Sequence, residues 1–185
     1  MNKVTLYGAV LCCLLVSNTW AQPFSRPNEI SSSVVSPTDV QAVDFNGDGD
    51  LDLLATSFGN NKIVWYANNG LGTFGQQQMV ADNIFSLVDV YAADLDGDGD
   101  MDVLSTDNYG IIWFANDGLG NFGAEQVIST NGDVSTVHAA DLDGDGDLDI
   151  LSTSSIVSEI IWRANNGSGV FGPEQVLATM INTAY

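Results

Sequence analysis

The sequence predicts an all-β fold of three four-stranded antiparallel blades, the building units of a β-propeller. Three observations predict it. An acidic nonapeptide occurs three times, as Asp44-Phe-Asn-Gly-Asp-Gly-Asp-Leu-Asp52, Asp94-Leu-Asp-Gly-Asp-Gly-Asp-Met-Asp102 and Asp141-Leu-Asp-Gly-Asp-Gly-Asp-Leu-Asp149. Trp65, Trp113 and Trp162 keep step with it at intervals of 48 and 49 residues, and Phe74, Phe122 and Phe171 do the same. A fixed period of this size marks a repeat architecture. Within each period lie four short β-rich runs and no stretch with helical periodicity, which is the pattern of a propeller blade.

The first 21 residues read as a secretory signal peptide rather than as part of the fold. Met1-Asn2-Lys3 gives a positive tip, Val4 to Val16 an apolar run, and Thr19-Trp20-Ala21 the small residues at −3 and −1, so cleavage is expected after Ala21. The run is too short to span a bilayer, which takes roughly 17 to 25 residues. A lipoprotein signal is rejected because Cys12 and Cys13 lie inside the apolar run. Export removes both cysteines, so no disulfide framework holds the mature chain together. Residues 22–37, rich in Ser, Pro and Asn, read as a linker or irregular lead-in.

The blades are expected at 38–84, 85–131 and 132–185. In each, an alternating first strand (Val40 to Val43, Val90 to Ala93, Val137 to Ala140) precedes the acidic loop. A second strand follows the loop (Leu53 to Thr56, Val103 to Thr106, Ile150 to Thr153), and a third carries the Trp (Ile63 to Tyr66, Ile111 to Phe114, Ile160 to Arg163). The fourth follows the Phe-Gly pair (Gln76 to Val80, Glu125 to Ile128, Glu174 to Leu177). Asn69-Gly70, Asp117-Gly118 and Asn166-Gly167 between strands three and four predict tight hairpin turns, since both residues tolerate positive φ. The connection between strands two and three varies in length, as expected of surface loops that carry specificity.

The chain holds 24 Asp and Glu against 4 Lys and Arg, a formal net charge of −20. That excludes a nucleic-acid binder and docking on an anionic membrane, both of which need a basic face. Most of the acid is in the three loops. Two unit charges 4 Å apart repel by about 1 kcal/mol in water and about 4 at an effective dielectric near 20, so such crowding requires a cation. Hard oxygens in this number suit Ca²⁺, about three ions per chain. The side-chain ligands assigned are Asp44, Asn46, Asp48 and Asp52, with the carbonyl of Asp50. The second site is Asp94, Asp96, Asp98 and Asp102 with the carbonyl of Asp100, and the third Asp141, Asp143, Asp145 and Asp149 with the carbonyl of Asp147. An EF-hand is rejected: its twelfth position needs Glu, and here it is Ala55, Ser105 or Ser152. Mg²⁺ fits less well, because it prefers to keep water.

The loops between strands, with Phe-Gly following and Pro173 after it in the third copy, resemble the FG-GAP repeat of integrin α-subunit propellers. They are closer to its bacterial secreted VCBS-type relatives. The resemblance covers residues 34–182. It implies one blade and one Ca²⁺ per repeat, roles in adhesion or extracellular binding, and closure with seven blades. Only three blades fit here, so further blades on a longer chain are expected, or blades from other chains, and exposed end faces imply self-association.

Other residues carry bland readings. His138, the only histidine, reads as a strand side chain, and no nucleophile, zinc or phosphate-loop motif accompanies it. Paired carboxylates of a glycosidase are rejected, because fourteen aspartates in three equivalent loops point to structural ions instead. The tryptophans read as blade packing rather than sugar stacking. Arg163, where the other repeats have Tyr66 and Phe114, is expected to face solvent or an acidic partner. The expected function is a secreted, non-enzymatic calcium-binding module for an extracellular protein or glycan. The alternative is the non-catalytic propeller module of a secreted polysaccharide-active enzyme.

Overall fold

The computed structural model describes residues 30–107, 109–132, 134–154 and 156–179. The expected signal peptide lies outside them. Twelve strands form three four-stranded antiparallel sheets, each in simple sequence order. The first contains β1 (Val40–Val43), β2 (Asp52–Ser57), β3 (Lys62–Asn68) and β4 (Phe74–Asp82). The second contains β5 (Val90–Ala93), β6 (Asp102–Thr106), β7 (Ile111–Phe114) and β8 (Gln126–Ser129). The third contains β9 (Val134–Ala140), β10 (Asp149–Ser154), β11 (Glu159–Arg163) and β12 (Gln175–Thr179). The only helical turn among the described residues is Phe58–Asn60.

Register places the repeated residues opposite one another. Leu54 pairs with Trp65, Leu104 with Trp113 and Leu151 with Trp162. Because strand side chains alternate between faces, each blade has two packing faces. The trailing face of blade 1 offers Leu54, Ile63 and Trp65, which share one core with Val90, Val103, Ile112 and Phe114 on the leading face of blade 2. The trailing face of blade 2 (Leu104, Ile111, Trp113) packs in the same way on Val137 and Ile150 of blade 3. Each such side chain, fully buried, contributes about 1.5–3 kcal/mol, so most of the fold's apolar burial lies between blades.

The end faces differ. On the leading face of blade 1, the lead-in docks Val34 over Ala55, Val64 and Tyr66. The Val35 amide donates to Ser57 Oγ at 2.8 Å and its carbonyl accepts from Gly59 at 2.8 Å. This is an irregular lead-in fixed to the blade. Val40 on the same face is 58% exposed, whereas its counterparts Val90 and Val137 are fully buried. On the trailing face of blade 3, Leu151, Ile160 and Trp162 are only half-buried.

Two expectations are corrected. The Asn69-Gly70 turn is not a two-residue hairpin, since five residues separate β3 from β4. Gly70 and Gly72 have positive φ and Asn69 does not. Asn69 Oδ1 instead accepts from the Leu71 and Thr73 amides at 3.0 and 3.2 Å, closing the loop through its side chain. Of the two readings of Arg163, solvent is excluded, and the acidic group it meets is Glu174 of its own blade. Arg163 is 6% exposed, paired with Glu174 at 2.6 Å and donating to Ser129 Oγ of blade 2 at 3.1 Å.

Candidate metal centres

Each acidic loop joins the first and second strands of its blade, and the three are wound alike. The carboxylate at position 1 collects two amides of its own loop: Gly47 and Gly49 donate to Asp44, Gly97 and Gly99 to Asp94, and Gly144 and Gly146 to Asp141. Position 3 accepts from the amide of position 5 (Asn46 from Asp48, Asp96 from Asp98, Asp143 from Asp145). Position 5 accepts from position 7 at 2.9–3.0 Å. Positive φ at both loop glycines makes this winding accessible.

Position 9 is different, because it is buried. Asp52, Asp102 and Asp149 are each 0–1% exposed at the first residue of the second strand. Each spans the blade: Asp102 accepts from the Leu95 amide in its loop at 2.9 Å and from the Asn116 amide after the third strand at 2.9 Å. Asp52 does the same with Phe45 and Asn68, and Asp149 with Leu142 and Asn165. A carboxylate oxygen has two lone pairs, so one accepted amide leaves it able to ligate a cation; in Asp149 that oxygen is Oδ1, because Oδ2 also accepts from the Trp162 indole at 3.0 Å.

Of the assigned side chains, the structure draws together positions 1, 3 and 9. Ligand oxygens of Asp94, Asp96 and Asp102 lie within 4.8 Å of one another, as do those of Asp141, Asp143 and Asp149. Asp98 and Asp145 are outside these groups, turned to the amides of Asp100 and Asp147. In the first loop Asn46 supplies an amide oxygen where the others have carboxylates. The position-7 carboxylates of Asp50, Asp100 and Asp147 pack against Gly70, Gly118 and Gly167 of their own blade's hairpin loop. A Cβ at Gly70 would meet Asp50 Oδ2 at 2.6 Å.

The electrostatics favour a cation. Burial pushes the Asp102 carboxyl up to about 6, well above its ordinary 3.8. Burial also raises Asp52, Asp96 and Asp143, and neighbouring loop carboxylates add to the rise. Among the described residues no basic side chain forms an ion pair with them, and Arg163 pairs with Glu174. Clustered hard oxygens held partly out of water fit Ca²⁺, which takes six to eight such ligands in flexible geometry.

Sequence reasoning missed the residues that join these loops across blades. Asn116 Nδ2 donates to the Phe45 carbonyl of blade 1 at 2.9 Å and to Met101 of its own blade at 3.0 Å. Asn165 Nδ2 repeats this with Leu95 and Leu148, at 2.7 and 2.9 Å. The loops are therefore wired in series, Asp52–Phe45–Asn116–Asp102–Leu95–Asn165–Asp149. The signal was present as Trp-x-Ala-Asn in every repeat.

The sequence model of the FG-GAP-like repeat matches residues 44–105 and 94–152. The chain belongs to the FG-GAP-like repeat family. The match rests on the loops and strands just described. No curated protein sequence matches this FG-GAP-like chain. Among solved structures it is similar to an Agrocybe aegerita lectin described as recognising non-reducing terminal N-acetylglucosamine, with 26% identity and a TM-score of 0.59. That likeness covers 76% of this chain and 38% of the lectin, so the FG-GAP-like chain spans well under half of the lectin's length. A Photorhabdus luminescens Tc holotoxin pore matches at 20% identity and a TM-score of 0.49, over 78% of this chain and 7% of that one. No helix among the described residues is long and apolar enough to cross a membrane.

Proposed function

We propose that this FG-GAP-like chain is an exported, non-enzymatic binding module whose acidic loops are stiffened by Ca²⁺ and whose ligand is an extracellular glycan or protein. The observation that carries it is the convergence of Asp94, Asp96 and Asp102, and of Asp141, Asp143 and Asp149, around one point per loop. Asp44, Asn46 and Asp52 would hold the ion of the first loop in the same positions. The ion supplies the counter-charge, and the residues do the rest: position 9 ties the loop to the third strand, and position 1 holds its winding. Millimolar extracellular Ca²⁺ suffices even for sites with Kd near about 10⁻³ M.

A glycan-binding reading, including a non-catalytic module of a polysaccharide-active enzyme, is favoured by the likeness to the lectin. A cleft of about 380 Å³ suits it, at the end of blade 3 away from the acidic loops. Asn131, Ser154, Glu159 and Glu174 offer hydrogen-bonding groups there beside Val134 and Ile161, a mixture that matches a sugar's hydroxyls and its apolar ring face.

Calorimetric titration with CaCl₂, paired with melts in Ca²⁺ and EDTA, tests the first part. About three ions per chain and a lower melting temperature in EDTA are expected, and a folded chain that takes up no Ca²⁺ overturns it. A glycan array, followed by Glu159→Ala, tests the second. Retention of N-acetylglucosamine-terminated or other glycans, weakened about tenfold by E159A, is expected. An array blank at every sugar moves the ligand to protein.

A further inference from the structure

The blade-to-blade joint occurs twice inside the chain with the same parts. In the leading half, a hairpin glycine lies on the preceding blade's tryptophan, Gly120 on Trp65 and Gly169 on Trp113. The asparagine of the same blade reaches back to a loop carbonyl, Asn116 to Phe45 and Asn165 to Leu95. In the trailing half, a loop glycine abuts the next hairpin's carbonyl, Gly97 facing Gly167 and Gly47 facing Gly118. A residue just before or at the start of the first strand accepts the next blade's strand amide: Asp39 takes that of Val90 at 3.3 Å and Asp89 that of Val137 at 2.8 Å.

Both halves also stand on the outer faces of blades 1 and 3, unmet by any described residue. At the leading end, Gly72 has no described atom within 4 Å of its would-be Cβ. Among the described residues Asn68 Nδ2 donates only within its own blade, to Leu51 at 3.0 Å, and Val40 is 58% exposed. At the trailing end, Gly144 has no described atom within 4 Å of its would-be Cβ, and Thr136, aligned with Asp39 and Asp89, is exposed. Trp162 is half-buried, though its indole is held in place by donating to Asp149 at 3.0 Å. Val34 does not block the leading end, for it aligns with Ile84, which lies within the joint between blades 1 and 2.

We propose that these ends are the two halves of one joint and that the occupant is a second copy of this chain, docked head to tail. Asn68 of one copy reaches the Leu142 carbonyl of the other, Gly72 covers Trp162, and Val40 enters the apolar seam beside Leu151 and Ile160. Trailing-to-trailing pairing is disfavoured chemically: it sets carbonyl against carbonyl and one acidic loop against another, with no asparagine donor. Two copies joined at both ends make six blades, inside the four-to-eight range in which propellers close. A head-to-tail contact that closes gives a ring rather than a filament. This inference does not rest on the calcium reading.

Sedimentation equilibrium on the chain at micromolar concentration is the test, with near-UV circular dichroism reporting the fold. Twice the chain mass is expected. A folded monomer overturns the proposal, and then the faces are covered by the chain's own remaining residues or by blades from elsewhere. Assemblies larger than two overturn it as well. Val40→Asp at the head and Thr136→Arg at the tail change exposed side chains, and each alone is expected to halve the mass to that of one chain. Mixed in equal amounts they are expected to regain the dimer, because one joint is then intact and the other sets Asp against Arg. A mixture that stays monomeric sinks the head-to-tail geometry. Val127→Asp, on the exposed outer strand of blade 2, is expected to remain dimeric.

Discussion

Asp102 stands where two demands on a carboxylate meet. It must be buried to tie its loop to the strand after next, and it must be ionised to hold a cation. Burial, with the charges of Asp96 and Asp98 beside it, raises its pKa to about 6, from 3.8. In the metal-free chain, folding therefore takes up a proton between pH of about 4 and 6, and stability falls as pH rises through that window. The difference is on the order of 2–3 kcal/mol at full effect. Melts in EDTA should thus give a higher melting temperature at pH 5 than at pH 7. Saturating Ca²⁺ should reverse the order, since the ion needs the carboxylate ionised. Asp96 tests the charge term separately. The first loop carries Asn46 at this position and keeps the same turn, so Asp96→Asn preserves the acceptor for the Asp98 amide. Expected are a higher melting temperature in EDTA and about tenfold weaker Ca²⁺ uptake at that loop, read by calorimetry.

The blade is the element, and its joint is where a single change tells most. Asn116→Ala removes two donated bonds and leaves the Phe45 and Met101 carbonyls without their partner. It should cost about 2–4 kcal/mol in urea melts, whereas Asn121→Ala, on an exposed turn bond to Asp117, should cost under about 1. The strands and acidic loops were legible in the sequence because period-two alternation and the nonapeptide are local signals. The hairpin loops were misread because their closure depends on Asn69 Oδ1 and a second glycine, which the Asn-Gly pair does not reveal. Arg163 was misread because its position was compared down the repeats and not across the strand pair. Tyr66 meets Gln77 where Arg163 meets Glu174, so the exchange is of a pair. The sequence assigned side chains at positions 1, 3, 5 and 9 alike; that 1, 3 and 9 converge without 5 in the second and third loops, and that position 9 is buried, are tertiary facts.

For the whole molecule, the formal net charge of −20 works against compactness, and most of it is concentrated in three loops wired in series. Added NaCl should therefore raise the melting temperature in EDTA, as screening relieves the repulsion. With Ca²⁺ bound that rise should shrink, because the local charge is already answered. A salt response equal in both conditions would place the repulsion outside the loops. Stability in such an array is a sum of blade terms and nearest-neighbour terms. Here the second kind dominates, since Trp65, Trp113, the Asn116 and Asn165 bonds across the joints and both large cores lie between blades.

Every blade thus carries both halves of much the same seam, at offsets from its own acidic loop that differ by at most two residues, with Thr136 in place of the aspartate in the third. A genetic event that copies or deletes one whole period keeps the tryptophan–glycine and asparagine–carbonyl contacts matched on both sides. An insertion of arbitrary length inside a strand enjoys no such protection. Lineages built on this unit are free to change length in steps of one blade, and free to vary the loop between the second and third strands. The seam, by contrast, is held fixed by its need to match every other copy of itself.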